Sequence, residues 1–127
     1  MQIETTRLVI AAALGAAALA LPAAAHHSTA MFEWGTSTEM KNATVERWVW
    51  TNPHTFLYVR DAAGNRWAFE GMSPNHLSRA GWSKRSLVSG EKVDLTYFKL
   101  RDGRRGGFNV TVTRDNGSKL NQLPVRE

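Results

Sequence analysis

Two adjacent histidines, His26 and His27, follow the run LPAAA, and the chain holds only four histidines in all. What they could do depends on whether His26 opens a chain. Export processing wants small residues at the cut and two places before it. A cut after Ala25 supplies Ala23 and Ala25, whereas a cut after Ala24 puts Pro22, and one after Ala23 puts Leu21, in the upstream slot. Freed by the first cut, His26 carries an α-amino group beside its own imidazole Nδ1. An α-amine ordinarily titrates at about 7.7–8.0 and an imidazole at about 6.5, so both lose a proton at little cost near neutral pH. Nitrogen donors in a planar arrangement suit Cu(II) best among the divalent ions. A histidine-brace copper site is therefore the leading expectation, with His27 or His54 completing it and His76 the weaker candidate. The bland alternatives stand beside it. The pair could be polar starters on a frayed terminus. His54, after Pro53 at a strand opening, could cap a turn carbonyl, and His76, early in a short helix, could simply be exposed.

A second group of residues could bind without metal. Trp48, Trp50, Tyr58 and Trp67 could form a stacking platform on a barrel face, or serve as core. Arg104 and Arg105 crowd with Lys99 and Arg101 into KLRDGRRGG, which reads as a solvated hairpin tip or as an anion site. Catalysis has little to stand on. Glu46, Asp61, Glu70 and Asp94 sit at alternating strand positions that read as outward faces, and no nucleophile–base spacing is visible. DGRRGG has glycines and arginines but no following helix to cradle a phosphate. The expectation is a non-enzymatic binding protein.

These side chains need elements to hold them. Residues 26–38 show no clear period and read as an N-terminal arm carrying Phe32 and Trp34; residues 39–127 read as the domain proper, with a short C-terminal tail. EMKNATVERWVW has strand composition, with Val45 and Val49 expected on one side and Trp48 and Trp50 on the other. HTFLYVRD and RWAFEG, joined by AAGN, read as a hairpin. SPNHLSRAG then switches to helical punctuation: Ser73 to cap, Pro74 for the first position, Gly81 for the stop. VDLTYFKL alternates Val93, Leu95 and Tyr97 against Thr96 and Phe98. RDGRRGG turns the chain into FNVTVTR, with Phe108, Val110 and Val112 expected on one side, and KLNQLPVRE adds an edge strand or frays. A short helix between the third and fourth of five strands predicts a mainly β, OB-like Greek-key barrel. The rival, a simple β-sandwich, leaves that helix without a place.

Composition bounds the setting. The 127 residues suit one domain. Leu8 to Leu21 is nearly unbroken apolar sequence, short of the about 20 residues that span a membrane but fit for a signal peptide over residues 1–25. With no cysteine there is neither a lipid-anchor site nor a disulfide framework. The expectation is a periplasmic or secreted domain with no stable membrane anchor. Its net charge of +5 survives cleavage, because Glu4 and Arg7 leave together. In an exported chain that excess points to anionic surfaces or solubility rather than nucleic acid, so the expected partner is an envelope protein or a small ligand.

The segments AHHST, VERWVWTNPHTFLYVRD, WAFEGMSPNHLSRAGWSKRSLVSGEKV and RDGRRGGFNVTVTRDNGSKL together resemble a family of short exported bacterial proteins defined only as a domain of unknown function. Asn52-Pro53-His54 is the most specific part of the likeness. FKLRDGRRGG departs from it, since the family favours a Tyr-Pro entry and a less basic loop. The resemblance implies export and a single β-rich domain, and it implies no activity.

Overall fold

Alternation decides which side of each strand meets the core. Val93, Leu95 and Tyr97 are buried, while Asp94, Thr96 and Phe98 between them are partly exposed. Leu57 and Val59 are buried in the same way, leaving Phe56, Tyr58 and Arg60 on the other side. The computed structural model describes residues 29–123, and from Met31 onward they belong to one compact unit. A 3₁₀ turn at Thr29–Met31 leads into β1 (Phe32–Val49), β2 (Phe56–Arg60) and β3 (Arg66–Glu70). Helix α1 (Pro74–Arg79), β4 (Lys92–Leu100), β5 (Gly106–Arg114) and β6 (Lys119–Asn121) follow. The sheet order is β3-β2-β1-β4-β5-β6, and β3 also pairs with β5 in parallel. That last pairing closes β1, β2, β3, β5 and β4 into a five-stranded barrel with the helix between its third and fourth strands, the OB-like arrangement. The tail adds β6 along the free part of β5, its residues pairing with Thr111–Thr113.

Helix α1 is built as its punctuation predicts. Ser73 is extended at the N-cap and its Oγ accepts the His76 N–H at 3.2 Å. Pro74 opens the helix and Gly81, at φ +87°, lies just past its end. Leu77, fully buried, fixes the helix to a core that includes Val45, Leu57, Phe69, Leu95 and Val112.

Three expectations change. β1 begins at Phe32, so the residues read as an arm up to Thr38 are strand over their last seven positions. β1 slips register between Val45 and Arg47, leaving Glu46 as the extra residue of a bulge. Val45 and Trp48 consequently pair with the buried Val59 and Leu57, while Val49 lies opposite Phe56. The β4–β5 ladder slips as well, with Thr96 opposite Thr111 but Tyr97 opposite Asn109. Val110 is the extra residue there, so Phe108 leaves the side of Val112. It joins Phe32, Trp34 and Phe98 in a second aromatic cluster with ring centroids 5.1 to 5.6 Å apart.

Closure depends on two residues read from sequence as part of a turn. Gly106 and Gly107 are buried and open β5, opposite Ala68 and Phe69. A Cβ on Gly106 would run into the Ala68 carbonyl oxygen, and one on Gly107 into that of Phe98. Backbone has to move for either. Gly107→Ala should lower the unfolding free energy by roughly 1–3 kcal/mol or more, measured by urea denaturation. Gly35→Ala, whose new Cβ meets nothing within 4 Å, should stay within about 0.5 kcal/mol.

Candidate functional site

Strand pairing lays the outward side chains of β1, β2 and β3 in three rows. Thr44 lies opposite Arg60 and Arg60 opposite Arg66. Arg47, Tyr58, Ala68 and Gly106 form the next row, and Val49, Phe56, Glu70 and Phe108 the third. The Glu46 bulge decides the composition of the middle row, since it turns Arg47 outward beside Tyr58. There the Arg47 guanidinium sits 4.6 Å from the Tyr58 ring centroid, a cation–π contact. Phe56 stacks along the strand with Tyr58 at 6.5 Å.

Between the first two rows runs an open groove of about 460 Å³, lined by Glu46, Arg47, Tyr58, Arg66, Trp67, Ala68 and Arg105. Its one carboxylate is already engaged: Glu46 Oε1 lies 2.6 Å from Arg60 Nε, and Oε2 lies 3.3 Å from Arg66 Nε. Arg47 and Arg105 are left with no carboxylate partner among the described residues. A guanidinium is a planar, always charged fork that matches carboxylate and phosphate oxygens. Arg47 and Arg105 therefore give the groove two uncompensated positive charges. Tyr58 and Ala68 also border a smaller hollow of about 170 Å³, to which Arg104 contributes. Arg104 itself is held by Asp102, Nε to Oδ2 at 2.7 Å.

Trp67 forms part of the groove wall because the preceding turn fixes it. Its Nε1–H donates to Asp61 Oδ2 at 2.9 Å, and the ring packs on Phe69 and Tyr97. Asp61 also accepts from the Ala63 and Asn65 backbone N–H groups at 3.0 and 2.8 Å. The Trp67 indole first, then the Asn65 and Ala63 donors, hold this carboxyl down at about 2.

The sequence-derived candidates divide by location. Tyr58, Trp67 and Arg105 meet in the groove, and Arg104 borders the adjoining hollow. Trp48 and Trp50 stand apart, packing at the other end of the barrel near Trp82, with Trp48 Nε1–H bonded to the Ser83 carbonyl at 3.0 Å. His54 Nδ1 lies 3.1 Å from the Gly71 carbonyl and 3.4 Å from Glu70 Oε1. His76 Nε2 lies 3.1 Å from the Gln122 carbonyl, so this exposed residue also ties the tail to the helix. His26, His27 and the signal-peptide stretch lie outside the described residues. Among the described residues no three His, Asp or Glu side chains gather to hold a metal. Arg47, Arg66 and Phe56 escaped the sequence reading. The signal for Phe56 was present, as the outward partner of Tyr58 in an alternating strand; Arg47 was hidden by the bulge.

A small OB-like barrel with one basic, aromatic outer face is what this fold and groove define. The chain belongs to the DUF6152 family, a family of unknown function whose model matches residues 14–109. No curated protein matches the chain, and no solved structure does.

Because the folded Asp61 carboxyl titrates below its ordinary value of 3.8, its contribution to stability is complete above that value and disappears as pH falls through about 2. The Asp61 side-chain carbon and the Trp67 indole N–H should titrate together in NMR with a midpoint at about 2. Asp61→Asn should lose less stability than the parent chain over the same acid range. A midpoint at the ordinary carboxylate value would show that the indole does not hold the carboxylate.

Proposed function

We propose that the chain is an exported, non-enzymatic binding protein that takes an anionic ligand in the groove on the outer face of β1, β2 and β3. The observation that carries this is that Arg47, over the Tyr58 ring, and Arg105 line one groove without carboxylate partners among the described residues. Its volume of about 460 Å³ falls within the usual range of small-molecule sites. Glu46, the one carboxylate of the groove, is engaged by Arg60 and Arg66. The periplasmic or secreted setting rests on the composition of residues 1–25.

2-Naphthyl phosphate, which joins an anion to a flat ring, is a suitable probe. In an NMR titration it should move the amides of Arg47, Tyr58, Ala68 and Arg105. Loss of two charge-assisted contacts in Arg47→Ala/Arg105→Ala should weaken it by about tenfold or more, with Arg79→Ala on α1 unchanged. Unaltered affinity in the double variant overturns the assignment.

Copper binding is a second reading, and His54 supports it. A metal-bound imidazole usually gives its other N–H to a carbonyl or carboxylate. The Gly71 carbonyl can only accept, so the contact at 3.1 Å is made by an Nδ1–H, and a metal would take Nε2. His26, through amine and ring, would supply the remaining nitrogens with His27. Calorimetric titration with Cu(II) should show tighter binding for a chain beginning at His26 than for one with an extra residue in front. His54→Ala should weaken the first and spare the second. Equal affinity in all three eliminates the brace.

A further inference from the structure

The groove does not stop at Tyr58. Across the row Tyr58–Ala68 it adjoins the hollow of about 170 Å³, which is walled mainly by Met31, Phe32, Phe56 and Leu100. The hollow exists because the residues that close the barrel are small. Ala68 and Gly106 face each other in the row, and a Cβ on Gly106 would come within 3.2 Å of Leu100, which lines the hollow. Charge and apolar surface are thus placed side by side: Arg47 and Arg105 lie on one side of Tyr58, and on the other lies a mainly apolar hollow whose lining also includes Glu70 and Arg104. Met31, 39% exposed, is one of the few large apolar side chains left open to solvent in this unit.

We propose, resting on the reading of the groove as an anion site, that the ligand is a single-chain anionic amphiphile. Its carboxylate or phosphate head pairs with Arg47 and Arg105, and its tail crosses Ala68 into the hollow beside Phe56 and Leu100. Charge complementarity fixes the sign of the head. The volume of the hollow fixes the tail as one chain, since it is far smaller than the 300 to 1,000 Å³ or so of a typical complete ligand site. A nucleic-acid strand fits less well. A strand of stacked bases needs a succession of free aromatic faces, and here Arg47 already lies over one face of Tyr58.

Acetate, hexanoate, decanoate and the neutral decanamide test this on the full chain at fixed ionic strength and below micelle formation. Affinity should rise by about fourfold per buried methylene until the hollow is filled. Decanamide should bind at least about tenfold more weakly than decanoate, for want of charge-assisted pairing. Met31→Gln/Leu100→Gln should weaken decanoate while leaving acetate and 2-naphthyl phosphate as they were. Arg105→Ala should weaken every anion. Met31→Gln alone, at an exposed site, guards against misfolding of the double variant and should act in the same direction.

Equal affinity for acetate and decanoate overturns the amphiphile while 2-naphthyl phosphate binding keeps the anion groove. Loss of 2-naphthyl phosphate binding as well removes both. Tighter binding of an oligothymidylate than of decanoate overturns the amphiphile in favour of a strand. Sedimentation with phosphatidylglycerol vesicles that decanoate cannot prevent overturns the single-chain source.

Discussion

The closing contact between β3 and β5 is the constraint from which the rest of the molecule follows. Without the parallel register Ala68–Gly106, Phe69–Gly107 and Glu70–Phe108, the sheet has two open edges and no interior. Parallel pairing at the end of so short a strand leaves little room between backbones, and two successive glycines meet that condition. Closure then buries Phe69, Leu57 and Val112 inside. It also assigns the outer rows, because the strand that completes the ring brings Gly106 beside Ala68 and Arg105 beside the groove. The same small residues serve stability on the inside and leave space on the outside.

A second set of contacts holds the far end. Gln122, buried near the chain's end, accepts the Met72 N–H at 2.7 Å, and its amide stands where a side chain on Gly71 would have to go. Thr55 donates to the Met72 carbonyl at 2.9 Å, Trp82 to the Asn121 carbonyl at 2.9 Å. His54 and His76 add their ring nitrogens to carbonyls in this set. Buried backbone groups of the β3–α1 link thereby find partners that regular ladders would not provide. Both histidines have a structural duty.

Much of the fold was legible in local chemistry. Ser73, Pro74 and Gly81 mark helix α1, and the alternation in FLYVR and VDLTYF marks the core side of β2 and β4, because those patterns depend only on near neighbours. What was illegible depends on ladders between distant residues. Bulges do not announce themselves: Glu46 and Val110 look like ordinary strand residues, and only the partner strand reveals which is supernumerary. Gly106 and Gly107 read as turn glycines because the sequence shows a basic loop and hides the strand that crowds them. For the site, Tyr58, Trp67 and Arg105 stood out by type. Arg47 did not, since a guanidinium becomes a candidate only when its neighbours fail to neutralise it, and Arg66 joins the groove wall only as a partner of Glu46.

The Glu46 bulge makes the character of the outer face a matter of parity. In an unbroken strand, Arg47 would share the side of Val45 and turn toward the core, and Trp48 would turn toward solvent. One supernumerary residue exchanges them, giving the surface its cation and packing the Trp48 indole against the core. Residue count in this stretch therefore weighs more than residue identity. Two chains of nearly the same composition, differing by one position before Arg47, would carry opposite side chains on this face.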